Sequence, residues 1–134
     1  MPNNTIKREL ITNFKLQKIG MDFMGYEFHV KGSSYHHLII PRRKGGLVTY
    51  ENGSVLMQAT AHNYLHTIER YDEELFKYIN RFMINQKEKE QIDLTDIEKI
   101  NDCLKYFEKE HYGQTTKKGK QLIKYEYITK RKRW

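Results

Sequence analysis

The 134-residue sequence has little of what marks a secreted or membrane-spanning protein. Its only cysteine is Cys103, so an intrachain disulfide framework is excluded. It has no apolar run near the length that spans a bilayer, and its first ten residues, MPNNTIKREL, lack a hydrophobic signal segment. These absences predict a cytoplasmic protein with no membrane partner, and the length predicts a single domain over residues 1–134.

Acidic side chains are almost absent from the last part of the chain. Beyond residue 113 there are eight basic side chains and one acidic one, a surplus equal to the net charge of +7 of the whole sequence. Such a basic segment indicates an anionic polymer as partner, nucleic acid before a membrane surface. A solvated segment that only aids solubility is the alternative. The expected phosphate contacts are Lys130, Arg131, Lys132 and Arg133.

Helical and β-rich patterns divide the first half of the chain. Apolar spacing predicts a helix that begins near Asn3 to Thr5 and ends at Gly20. The stretch YEFHVKGSSYHHLII, residues 26–40, holds two β-rich runs and is typical of a hairpin. The loop PRRKGGLVTYENGS follows and leads to a short strand near VLMQ, residues 55–58.

The second half is predicted to be helical. Apolar residues three or four apart between His62 and Phe82 indicate one helix, or two in tandem with Asp72 as an internal cap. Thr95 and Glu98 form a capping box that predicts the start of a last helix. The expected fold class is therefore α+β. In it, residues 1–33 form an N-terminal helix and flanking strand, and residues 85–134 form a C-terminal helix and basic tail.

Four of the six histidines stand in two pairs. His36 and His37 are adjacent on a predicted strand, where imidazole is costly without a partner. His62 and His66 are four apart, so their rings share one helix face and can bind one divalent ion. Zinc proteases place a glutamate general base after the first histidine of such a pair, but position 63 is Asn. A metalloprotease is therefore disfavoured, and the strand histidines are the natural source of a further ligand and a base.

This order of residues resembles that of the HNH endonucleases. The similarity covers roughly residues 34–72, and the form HH…N…H…H is closest to the DNase colicins, while the layout is also similar to compact HNH proteins of bacteriophages. The resemblance implies a ββα-metal core with flanking helices, which we place at residues 34–84. The positions that carry it are His36-His37, Pro41, Gly45-Gly46, Asn52, His62 and His66.

The resemblance also implies a role for each polar residue. His36, His62 and His66 would ligate the metal ion, His37 would be the general base, and Asn52 would hold the loop. The turn chemistry of Asn-Gly is an alternative for Asn52, compatible with that role. Many HNH proteins hold this unit with two Cys-x-x-Cys pairs around a structural zinc. This chain cannot do so, and packing of the first and last helices must serve instead.

The implied activity is metal-dependent hydrolysis of duplex DNA in a bacterial or phage-infected cell. One divalent cation is expected, with Zn²⁺, Ni²⁺, Co²⁺ and Mn²⁺ favoured by imidazole ligands and Mg²⁺ possible where phosphate and water fill the shell. An RNase or toxin-type nonspecific nuclease is one alternative. A nucleic-acid-binding module with a structural metal and no catalysis is another. Further expected phosphate contacts, with ordinary surface charge as the alternative, are Arg42, Arg43, Lys44 and Arg70.

One geometric condition follows from the adjacent histidines. Neighbouring side chains on a regular strand point to opposite faces. His36 and His37 can therefore share a pocket only if the strand twists or ends there.

Overall fold

The computed structural model describes residues 2–132, except for the side chains of the first two of them. Arg133, one of the predicted phosphate contacts, and Trp134 lie outside the described residues. The chain is mixed α+β. Its helices and strands, in chain order, are α1 (Pro2–Asn13), α2 (Leu16–Ile19), β1 (Ser33–His37), a 3-10 turn (Arg42–Lys44), β2 (Gly53–Met57), a π-helical turn (Gln58–His62), α3 (Asn63–Tyr71), α4 (Glu73–Lys89), α5 (Leu94–His111) and α6 (Tyr125–Thr129). Within the described range, no helix is both long and apolar enough to cross a membrane.

The two strands form an antiparallel pair whose register runs from Ser33 opposite Met57 to His37 opposite Gly53. The ring of Tyr35 lies across Gly53, where an added Cβ would come within 2.1 Å of a ring carbon. A side chain at position 53 would therefore displace the ring, so this end of the sheet requires glycine.

The predicted hairpin within residues 26–40 is wrong, because β1 pairs with β2 and the run YEFHV forms no strand. The carboxylate of Asp22 accepts hydrogen bonds from the backbone N–H groups of Met24 and Tyr26 and folds this segment into a turn. Tyr26 and Phe28 are buried in the core. Their alternation reflects locally extended backbone, since Tyr26 and Glu27 form isolated antiparallel bridges with Arg131 and Met21 instead of a ladder with β1.

The first helix begins slightly earlier than predicted and ends well before Gly20. It begins at Pro2 and stops before Phe14, because Lys15 takes the left-handed conformation with φ of 56°. The short α2 then ends at Gly20, as predicted, with φ of 75°. The break turns Phe14 towards Phe23, with ring centroids 4.7 Å apart.

The helical region between His62 and Phe82 is divided into α3 and α4, which confirms the predicted alternative of two helices in tandem. The carboxylate of Asp72 accepts from the backbone N–H of Leu75 and caps α4. The predicted capping box at the last helix is wrong. Asp93 caps α5 by accepting from the N–H groups of Thr95 and Asp96, which its carboxylate reaches at 2.8 and 3.3 Å.

The C-terminal segment is folded onto the rest of the chain. Leu122, Ile123 and Tyr127 are buried in the same hydrophobic cluster as α1, α3, α4 and α5. The ring of Tyr127 stacks on Tyr64 of α3 at 4.6 Å. Residues 130–132 pair with residues 25–27 through backbone hydrogen bonds of 2.8 and 2.9 Å.

A buried ion pair fastens this segment. The guanidinium of Arg131 donates to both carboxylate oxygens of Glu108 at 2.6 and 3.0 Å, and its side chain is 7% exposed. The hydroxyl of Tyr64 donates to the same carboxylate at 2.9 Å. The expectation that Arg131 contacts phosphate is therefore corrected, since its guanidinium is buried and already paired.

Replacing Arg131 by methionine should lower the free energy of unfolding by about 3 kcal/mol, because the carboxylate of Glu108 is left buried without a counter-ion. Urea denaturation measures the change. The matched control is Lys130→Met, which removes one charge from an exposed neighbour and should change stability by less than about 0.5 kcal/mol. Equal losses in the two variants would contradict this account.

Candidate functional site

Three imidazoles converge where the sheet meets α3. His36 lies on β1, His62 closes the π-helical turn, and His66 follows one helical turn later on α3. One ring nitrogen of each lies within 4.8 Å of the others. The ring centroids of His62 and His66 are 4.7 Å apart, and that of His36 is 5.3 and 6.1 Å from them. The structure thus brings together the three residues predicted to bind metal.

The ring of His36 is held from the inside of the protein. It is 2% exposed, and its Nε2 lies 3.0 Å from the amide oxygen of Asn80 on α4. Since that oxygen only accepts, Nε2 carries the proton and Nδ1 keeps its lone pair. Burial lowers the pKa of His36 to about 3, so the ring is neutral at physiological pH.

His62 and His66 are oriented in a similar way. Nδ1 of His62 lies 2.7 Å from the hydroxyl of Ser34 and 3.0 Å from the amide oxygen of Gln58. Nδ1 of His66 lies 3.2 Å from a carboxylate oxygen of Glu69. In both rings Nε2 is left without a hydrogen bond in the described residues. Burial, and then the neighbouring His66, lower the pKa of His62 to about 4.

These donors fit a divalent transition-metal ion. Each of the three rings has one nitrogen engaged with an oxygen partner and one free, the arrangement in which a polar partner fixes the tautomer of a metal ligand. Three neutral nitrogens suit zinc and its neighbours in the first row. A set of three also leaves coordination positions for water or substrate.

His37 lies at the same cavity, beside the metal-binding candidates. β1 ends at His37, which meets the condition set by the adjacent histidines. The cavity has a volume of about 1060 Å³ and is lined by both His36 and His37. Partial burial, and then the charge of Arg42, lower the pKa of His37, so the ring is neutral and able to accept a proton.

Asn52 fastens the loop that joins the two strands. Its amide oxygen accepts from the N–H groups of Ile39 and Ile40, and its amide nitrogen donates to the carbonyls of Ile40 and Leu47. Its own carbonyl accepts from the N–H of Leu38. The loop passes so closely at Gly46 that an added Cβ would lie 1.9 Å from the Ile40 carbonyl oxygen. The side chain thus holds the loop, as predicted.

The predicted phosphate contacts fall in three places. Arg42, Arg43 and Lys44 form the 3-10 turn and line the cavity of the histidines, and Arg43 pairs with Glu69 at 3.2 Å. Arg70 lies on α3 at the edge of a second groove. Lys130 and Lys132 are exposed but line neither cavity.

Four partners of the imidazoles were missed by the sequence analysis: Ser34, Gln58, Glu69 and Asn80. Two of them carried a signal. Glu69 is three residues after His66, which places it on the same helix face. Asn80 interrupts the buried stripe of α4 between Ile79 and Met83, and a buried amide in such a stripe needs a polar partner. The contacts of Ser34 and Gln58 with His62 depend on the strand register and on the π-helical turn.

Comparisons of the chain with protein-family models, with curated proteins and with solved structures give no match.

Asn52→Ala should lower the free energy of unfolding by about 2 kcal/mol or more, because buried N–H and carbonyl groups of the loop lose their partner. Amide hydrogen exchange should show faster exchange at Ile39 and Ile40. The control is Asn101→Ala on α5, a half-buried asparagine whose side chain makes no hydrogen bond in the described residues. Unchanged protection at Ile39 and Ile40 would contradict the assigned role.

The buried imidazole of His36 should make the metal-free protein sensitive to acid. Its pKa of about 3 lies below the ordinary value of 6.5, so the unfolded chain binds more protons between these values. The free energy of unfolding should therefore fall with falling pH, by up to about 1.4 kcal/mol per unit from this group. Above about pH 6.5 the contribution is fully present.

Urea denaturation with a chelator at about pH 6 and pH 4.5 tests this against His36→Asn, whose stability should change less over the interval. His29→Asn, at an exposed histidine, should behave as the parent. Burial raises the pKa of Asp22 to about 7, so the stability that this group contributes is lost as pH rises. Because Asp22 is present in all three proteins, its effect cancels in the comparison of their pH slopes. Equal pH slopes for the parent and His36→Asn would contradict the account.

Proposed function

We propose that the protein is a metal-dependent endonuclease of the HNH type. The observation that carries the proposal is the placement of a fourth imidazole, His37, at the cavity of the three ligand candidates and beside the cationic 3-10 turn. The order of β1, β2 and α3 around this site is also that expected of a ββα-metal core.

His37 is the proposed general base. Its neutral ring takes the proton of the attacking water, since its lowered pKa keeps a lone pair available near neutral pH. Asn52 keeps the loop closed, so that the chain leaving β1 has a fixed course. The 3-10 turn contributes positive charge for the phosphate on which water acts.

His36, His62 and His66 are the proposed holders of one divalent cation. When bound, such an ion supplies positive charge to the phosphoryl group and to the departing oxygen. The partners of these rings, Asn80 and Glu69 among them, fix the ring orientations and limit the reorganisation that binding requires.

The competing function is a nucleic-acid-binding module whose metal is structural. Structural zinc sites are closed by four protein ligands. The cluster found among the described residues has three, and its cavity is lined by the half-buried His37 and the exposed His66. These features favour hydrolysis, with duplex DNA as the proposed substrate.

Cleavage of supercoiled plasmid, with and without a chelator, tests the proposal. The parent protein should cut only with divalent metal. His37→Ala should lower the rate about 100-fold or more while metal affinity, measured by calorimetry, is retained, as for loss of a general base. His62→Ala should lose metal binding and cleavage together. His29→Ala, an exposed histidine outside the cavity, is the control and should cut as the parent does.

Metal binding by the parent without cleavage of DNA or RNA would overturn the nuclease proposal in favour of the structural metal. Loss of metal in His37→Ala but not in His36→Ala would reverse the roles of the adjacent histidines.

A further inference from the structure

A second groove begins at the metal site and runs along α3 to the C-terminal segment. It has a volume of about 580 Å³ and lies between α3 and the loop from Thr116 to Lys124. His66 lines both this groove and the cavity of the other histidines. The two depressions therefore adjoin at a proposed metal ligand.

The charged side chains that line the groove are all basic. The lining contains no acidic residue. Within residues 2–132, none of its cations has a carboxylate within ion-pair distance, in contrast to Arg43 and Arg131. These cations are Arg70, Lys117, Lys118, Lys120 and Lys124. Unpaired charges of one sign in a concave surface focus a field that attracts a polyanion.

The loop that carries the lysines has a defined backbone. Thr115 and Gln121 form an antiparallel bridge. The carbonyl of Thr116 accepts a hydrogen bond from the N–H of Gly119 at 2.9 Å, and the N–H of Thr116 donates to the carbonyl of Lys120 at 2.7 Å. Leu122, directly after this turn, is buried in the core. The lysines thus project from a fixed turn, which lowers the ordering cost when they bind a ligand.

We propose that this basic groove binds the phosphate backbone of duplex DNA next to the bond that is cut. The inference rests on the proposed nuclease function and assigns the substrate its path, from the histidine cavity past His66 to the lysine turn. The main DNA contact of the basic segment is thereby assigned to residues 117–124, in place of residues 130–133, which the sequence predicted. The exposed ring of Tyr71 on the groove wall offers a further polar contact to the backbone.

Binding of a labelled duplex across a salt series tests the proposal, in a His37→Ala background that leaves the DNA intact. The groove variant changes Lys117, Lys118, Lys120 and Lys124 to Gln. Each phosphate contact contributes about −0.9 to the slope of log affinity against log salt, so the slope should flatten by roughly two to four units. Arg70→Gln, on the opposite wall, should flatten it by about one unit.

The control variant carries the same loss of charge at exposed lysines outside both cavities, namely Lys31, Lys99, Lys105 and Lys109 changed to Gln. Its slope should stay within about half a unit of the parent value, because lysines that do not contact phosphate release no counterions. Circular dichroism should show both variants folded, since every substituted lysine lies on the surface.

An unchanged slope in the groove variant, or equal flattening in groove and control variants, would overturn the proposal. The nuclease function is judged separately on His37-containing protein. If that protein cuts DNA but the slope does not change, the groove proposal alone fails. If no DNA is cut but the groove variant flattens the slope and the control does not, the groove stands as a DNA-binding surface and the nuclease proposal fails.

Discussion

The side chain of Asn52 is the interaction on which the geometry of the site depends most. Its one amide group connects both ends of the inter-strand loop, because all four of its hydrogen bonds are made with backbone groups of that loop. Lys87 of α4 supports the same turn by donating to the carbonyls of Tyr50 and Gly53. The course of the chain after His37, and with it the place of the cationic 3-10 turn, follows from these contacts.

The helix that carries His66 depends on a different set of contacts. Its outer face bears the candidate ligand, while Tyr64 on its inner face stacks on Tyr127 and donates to Glu108. Since Glu108 also holds Arg131, α5 and the C-terminal segment support α3 from behind. An ion pair and stacked rings thus brace the helix.

The candidate site was more predictable from the sequence than its setting. The i, i+4 spacing of His62 and His66 places both rings on one helix face, however α3 packs. Asn52 stands next to Gly53, and Asn-Gly favours a turn. The role of Asp93 as cap, the turn at Asp22 and the pairing of Arg131 with Glu108 depend on partners that local patterns do not encode. The run YEFHV misled because its extended backbone pairs with Met21 and Arg131, which a local pattern cannot reveal, and not with the next run in the sequence.

The hydrogen bond between the hydroxyl of Tyr26 and the carbonyl of Tyr127 joins residues 101 positions apart. Contacts of such sequence separation form late, because a long stretch of chain must be ordered before they yield stability. During translation, Tyr64 of α3 therefore lacks the stacked ring of Tyr127 until the C-terminal segment has left the ribosome. Nascent chains that end before Tyr127 therefore lack this contact behind the helix of His66.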